Sequence, residues 1–270
     1  IDPPKTLGKT LKHLGPGFIL SASIVGSGEL IATTQLGAKA GFIAMWVILV
    51  SCLVKVAVQL EFGKRAIMTG ETTFASFNSL PGPKIGKANW TIWTWLGLML
   101  IKFLQVGAIV GLVAVLLNMA FPSLSEIWWL VIVVIAISSI VVSGYYKILE
   151  VLAVSMIGLF TIFTFFSLIA LQNTEAAISI ANITSGLQFK IPEGAGMTIV
   201  VIGAFGLTGV GGDEIMAYNY WLIEKGYASN TGPNDGTEEW NRRAKGWIKV
   251  MYIDAIFAMV VYTLVTVAFF

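Results

Sequence analysis

The sequence predicts an all-α integral membrane protein made of long apolar helices, two of them broken in mid-span and related to each other as an inverted repeat. Three observations carry this. Of the 270 residues, 56% are hydrophobic and 12% charged, with a mean hydropathy of +0.82, whereas a soluble domain carries about 25% charged residues. Seven stretches reach or approach the roughly 20 apolar residues a helix needs to cross about 30 Å of hydrocarbon, and none alternates as the strands of a membrane barrel do. Two of these stretches are broken by glycines that sit beside carboxylates, GSGE at 26–29 and GGDE at 211–214.

Residues 1–13 read as a cytoplasmic N-terminus: IDPPKTLGKTLKH has lysines but lacks the apolar core and cleavage site of a signal peptide. The first span, about 14–38, contains SASIVGSGELIATTQ and is broken near Gly26. Spans of about 42–63, 91–120, 127–143 and 148–171 follow, so that 14–171 forms a first five-helix repeat. Residues 172–195 form an extracellular loop. A second repeat starts at 196 with a broken sixth span to about 224, and a seventh runs from about 247 to 270. With the N-terminus inside, thirteen Lys and Arg fall on the cytoplasmic side and two, Lys39 and Lys190, outside, as the positive-inside rule requires. Lys55 and Lys102 lie within spans and are expected to snorkel or to form local salt bridges.

A shift of 185 residues aligns VGSGELIA (Val25 to Ala32) with VGGDEIMA (Val210 to Ala217). Val25, Gly26, Glu29 and Ala32 thereby match Val210, Gly211, Glu214 and Ala217, and Gly41 matches Gly226. Five spans separate the copies, so the second starts on the opposite face of the membrane, the arrangement of many secondary transporters. A five-plus-five repeat needs at least ten spans. The chain is therefore expected to be a fragment, with the spans after the seventh supplying ligands of their own.

Broken helices free backbone carbonyls that lipid cannot satisfy, so they occur where a cavity or ligand does. Glu29, Asp213 and Glu214 put carboxylates beside the two breaks, and no Lys or Arg lies within those segments. A cation is the natural counter-charge. Every candidate donor there is a hard oxygen: carboxylates, Ser27, Thr208 and freed carbonyls. Such donors suit Mg²⁺, Ca²⁺ and Mn²⁺ over soft transition metals, and the glycines leave room for a partly hydrated ion, which favours Mg²⁺. Adjacent helical residues point about 100° apart, so Asp213 and Glu214 are not expected both to face the ion. The repeat favours Glu214 as the partner of Glu29. Asp254, in the seventh span, is open between a coupling role and a buried hydrogen bond.

The run GPGFILSASIVGSGELIATTQLGAKAGF resembles the first span of Nramp-type divalent metal transporters, MWVILVSCLVKVAVQLEFGKRAIMTGETTFASF their second, and GAFGLTGVGGDEIMAYN their sixth. The resemblance implies the LeuT-type fold, with unwound helices 1 and 6. It also implies what has changed. Where the family has Asp-Pro-Gly-Asn, this chain has Gly26-Ser27-Gly28-Glu29; where the family has Met-Pro-His-Asn, it has Val210-Gly211-Gly212-Asp213. The sulfur ligand and the histidine are gone and an acid has appeared at Asp213, which favours Asp213 over Glu214. The family's carbonyl ligand maps to Leu207, and its first-span Asp to Gly26. This pattern resembles the Nramp-related magnesium transporters, a divergent bacterial branch.

The expected function is import of Mg²⁺, and of Mn²⁺, by alternating access without proton coupling. The metal site would comprise Glu29, Asp213, Gly26, Leu207 and Glu214. A cation-coupled amino-acid transporter of the same fold, or a membrane scaffold or ion sensor, are the alternatives. With one Cys and one His, no disulfide framework or Cys/His cluster is available, and no nucleophile and base suggest an enzyme. The partners expected are the divalent ion and the lipid bilayer, with no nucleic acid and no resident cofactor, for a monomer in the inner membrane.

Overall fold

Apolar length and cap chemistry decide where each helix runs. The computed structural model describes residues 1–25, 27–144 and 146–270; Gly26 and Tyr145, and the side chains of residues 27–31, 146–150, 153, 154 and 157, lie outside that description. Helix α1 (Leu7–Leu11) is one short turn, and α2 (Pro16–Ile24) opens on a proline, whose missing N–H is no loss in a first turn. After a break come α3 (Ser27–Ala40), a 3₁₀ turn (Gly41–Ala44) and α4 (Met45–Thr69). Helix α4 stops at Gly70, which takes the left-handed conformation at φ +68°, the usual glycine terminator.

Then follow α5 (Thr73–Asn78), a two-stranded antiparallel hairpin of β1 (Lys84–Ile85) and β2 (Ala88–Asn89), α6 (Trp90–Ala120), α7 (Glu126–Val142) and α8 (Tyr146–Leu171). Buried Asn89 ends the hairpin and caps α6, its side chain accepting from the Thr91 N–H at 3.1 Å. The remaining helices are α9 (Ile180–Gly186), α10 (Met197–Leu207), α11 (Gly212–Glu224), α12 (Tyr227–Thr231) and α13 (Glu238–Phe269). At 1.5 Å per residue, the 31 residues of α6 extend about 46 Å, enough to cross a bilayer with tilt. Segments Ala32–Thr69, Trp90–Ala120, Met197–Glu224 and Glu238–Phe269 are all long and apolar enough to span.

The chain divides into two units, Ile1–Thr73 with Leu152–Phe270, and Phe74–Val151. In the second unit α6 and α7 form a hairpin whose turn is held by Asn118 Nδ2 donating to Leu124 O at 2.6 Å and Trp129 Nε1 donating to Phe121 O at 3.2 Å. Their apolar side chains, Phe103, Leu104 and Ile135 among them, are exposed, as hydrocarbon-facing groups are. In the first unit α2, α4, α11 and α13 share a core of Leu20, Ile48, Tyr218, Trp247 and Met251.

Two boundaries differ from expectation. The seventh helix begins at Glu238, well before residue 247, because the Thr237 side chain accepts from the Trp240 N–H at 3.1 Å and Glu238 and Glu239 follow in the first turn, a hydroxyl cap and two carboxylates at the positive end of the dipole. The external stretch expected as loop contains α9, capped by Ser179. The repeat is visible in the backbone: α3 and α11 begin at Ser27 and Gly212, the same offset as the sequence match. Gly41 and Gly226, also paired by that offset, both have positive φ, +60° and +89°.

Candidate functional site

The sixth span parts over residues 208–211. Helix α10 ends at Leu207; Thr208 turns to extended backbone, and Gly209 has φ +72°. A side chain at Gly209 would be strained twice, by that φ and by space, since a Cβ would stand 3.2 Å from Cys52 Cα and 3.3 Å from its Sγ. The glycine thus lets the unwound segment lie directly on α4. Val210 is buried, in the position of the family's sulfur ligand.

A break at a helix C-terminus strands carbonyls, and α4 supplies their donors. Ser51 Oγ is 2.8 Å from both Phe205 O and Thr208 O, donating its single proton to one at a time. The Lys55 ammonium donates to Gly206 O at 2.9 Å and to Thr208 O at 2.6 Å. Lys55 therefore does not simply snorkel. Its charge sits at the negative end of α10's dipole, where a cation is favoured. Sequence reading missed this because the lysine arrives from a neighbouring span; the signal available was a Ser and a Lys four residues apart on one face of an apolar helix.

Across the gap, α11 starts at Gly212 with Asp213 and Glu214 in its first turn. Both are half-buried, and the two carboxylates converge: a Cβ at Gly211 would collide with the Glu214 carboxylate and lie 3.5 Å from Asp213 Oδ1. The missing side chain at Gly211 leaves a space that both carboxylates reach. Helix α11 is fastened through Thr73, whose Oγ1 donates to Met216 O at 3.4 Å and accepts from Asn219 Nδ2 at 2.9 Å.

In the first span, Gly26 and the Glu29 side chain lie outside the described residues, so the structure gives neither a ligand geometry. Asp254 is described fully. Its carboxylate, wholly buried on α13, accepts from Gly15 N at 3.0 Å and Gly17 N at 2.6 Å, capping the N-terminus of α2. Of the two alternatives for Asp254, the buried hydrogen bond is the one observed. Gly17 permits it, since a Cβ there would stand 2.9 Å from Asp254 Oδ2 and 2.8 Å from its backbone oxygen.

A buried polar atom at the break remains available. Thr208 Oγ1 has no hydrogen-bond partner among the described residues. Buried polar atoms are rarely left unpaired. Among the described residues no three His, Cys, Asp or Glu side chains gather in one cluster. Of the predicted ligands, then, Asp213 and Glu214 come together, Leu207 stands at the far lip of the gap with its side chain 46% exposed, and Gly26 and Glu29 are not positioned.

Comparison with known proteins gives the same frame. A family profile described as "Nramp: Natural resistance-associated macrophage protein-like" matches residues 17–270. No curated protein matches the sequence. Crystal structures of the Eremococcus coleocola manganese transporter, one of a mutant and one in complex with an aromatic bis-isothiourea substituted compound, superpose with a TM-score of 0.75 at 14% identity. The match covers 100% of this chain and 53% of theirs, so the chain spans about half the length of those structures, and at that identity the likeness describes the fold.

Proposed function

The chain belongs to the Nramp family, and from that premise we propose that it forms half of a secondary transporter moving Mg²⁺, and Mn²⁺ as a second substrate, by alternating access. The carrying observation is the break in the sixth span. Hard oxygens stand on its two sides: the buried hydroxyl of Thr208, without a partner among the described residues, and the carboxylates of Asp213 and Glu214, which both reach the space beside Gly211. Glu29, Asp213 and Glu214 supply the charge, and the carbonyls of Gly26 and Leu207 complete the set. The manganese transporter of similar fold supports a divalent substrate. Loss of sulfur at Val210 and of the imidazole at Gly212 supports a harder ion than the transition metals.

The same substitutions support transport uncoupled from protons, since the family's titrating relay is absent. The division into a first repeat over 14–171 and the opening of a second at 196, a cytoplasmic N-terminus, a monomeric state and an inner-membrane location belong to this reading. The test is flux: the full-length protein in proteoliposomes should carry Mg²⁺ and Mn²⁺ equally well with and without a pH gradient. Folded Glu29→Ala and Asp213→Ala variants should lose that flux. Parent-like Mg²⁺ flux in both variants sinks the assignment.

One observation favours the amino-acid alternative. Lys55 brings an ammonium to the break, where a substrate carboxylate would meet it, although two of its protons are directed to Gly206 O and Thr208 O. Titration calorimetry with Mg²⁺ and with amino acids separates the two readings.

A further inference from the structure

Outside the break, the most strongly charged concavity is formed by the N-terminal segment and α13. Pro3 lies against Gly246 so closely that any side chain there would overlap the proline ring. The segment is further held by Trp247 Nε1 donating to Ile1 O at 3.0 Å and by Tyr227 OH donating to His13 O at 2.9 Å. Beside this seat opens a cavity of about 440 Å³, with Lys5, Arg242 and Lys249 among its lining residues and Leu7, Val250 and Ile253 as its apolar ones. A smaller adjoining hollow adds Lys9 and Lys12.

Five cations thus surround one carboxylate, Asp2. Arg242 approaches Asp2 and Glu239 at 4.0 Å each, but among the described residues no carboxylate pairs with Lys5, Lys9, Lys12 or Lys249. Positions 242, 249 and 253 share a face of α13 at helical spacing, so Arg242 and Lys249 stand two turns apart along it and the apolar Ile253 one turn beyond Lys249. On α1, Leu7 and Leu11 are 65% and 50% exposed on one side, beside the lysines. Cations above uncovered aliphatic side chains match a group that is anionic at one end and aliphatic at the other.

We infer that this concavity binds an anionic phospholipid, its phosphate among Lys5, Lys9 and Lys249 and an acyl chain along Leu7 and Ile253, continuing outside the hollow over exposed Leu11 of α1. Basic pockets beside membrane helices hold lipid headgroups in this way, and aliphatic side chains on a short surface helix add buried area to the attraction. The leucines and Ile253 commit the site to lipid over free phosphate, which has no use for them. The inference does not depend on which ion the break carries.

Native mass spectrometry of the full-length protein in detergent tests it, using dioleoylphosphatidylglycerol, dioleoylphosphatidylcholine and inorganic phosphate as probes. The glycerol lipid should be retained in preference to the choline lipid. Lys249→Gln should weaken it about fivefold and Lys5→Gln with Lys9→Gln and Lys249→Gln about a hundredfold. Leu7→Ser with Leu11→Ser should also weaken it, while Lys84→Gln with Lys87→Gln should not. Equal retention of the two lipids, unchanged retention in both the single and the triple lysine variants, or displacement by inorganic phosphate with no effect of the leucine substitutions would each overturn the inference. The last result would instead mark a free-phosphate site.

Discussion

Replacing Lys55 by methionine keeps the length and apolar character of the side chain and removes only the ammonium. Two bonds are lost, to Gly206 O at 2.9 Å and Thr208 O at 2.6 Å. Hydrogen bonds from charged donors contribute about 1.5–3 kcal/mol each, and the half-buried position of Lys55 argues for the lower end. The sum is about 3 kcal/mol. Ser51 does not make up the difference, because its one proton serves either Phe205 O or Thr208 O, so turning it to Thr208 O frees the other carbonyl. For a chain of this size, about 3 kcal/mol lowers the melting temperature by roughly 6–12 °C. Intrinsic fluorescence of the nine tryptophans in detergent reads the transition. Lys55→Arg, which keeps donors and charge, should recover most of the loss, and Lys55→Gln about half. A methionine variant melting within about 2 °C of the parent would refute the claim that this lysine caps the broken helix.

Gly211→Ala should drive the Glu214 carboxylate out of the space it shares with Asp213 and weaken Mg²⁺ binding by calorimetry, whereas Gly212→Ala, with nothing within 4 Å of its Cβ, should leave affinity unchanged. Asp254→Ala strands two buried N–H groups, at Gly15 and Gly17, and should cost about 3–5 kcal/mol; Asp254→Asn keeps one acceptor and should cost less, both read as melting temperature. Asp235, in the loop before α13, is held below the usual carboxylate range by the Thr237 hydroxyl and N–H. Its support for the α13 cap is therefore complete above the ordinary aspartate pKa and is lost as pH falls below it through the lowered value; faster amide exchange at Thr237 in acid, absent from Asp235→Asn, is the expected signature.

The helices and both breaks were legible because hydrophobic length and glycine position act locally. The repeat could be read from four matched residues around each break, and the paired positive φ at Gly41 and Gly226 follows from it. What could not be read depends on neighbours. Nothing near Lys55 in sequence says that its ammonium meets carbonyls about 150 residues away, and Asp254 gave no sign of which of two roles it held until Gly15 and Gly17 stood beside it. That Asp213 and Glu214 both reach the space beside Gly211 depends on side-chain conformation in a first turn, which residue spacing does not give. The early start of α13 was missed by following hydropathy past a Thr-Glu-Glu cap.

The two halves of the sixth span are fastened to successive elements: α10 to Ser51 and Lys55 of α4, and α11 to Thr73, the first residue of α5. Mechanically, the gap at 208–211 is therefore splinted. A displacement of one half reaches the other through α4 and its short link to α5. The first span has a different fixture, α13, where the Asp254 carboxylate grips the tip of α2 and Ala258 O accepts from Ser21 Oγ at 3.3 Å. If the two broken helices ever swing, the first half of the first span therefore moves with α13, to which Asp254 and the Ser21 hydroxyl tie it, and the halves of the sixth span move with α4 and α5.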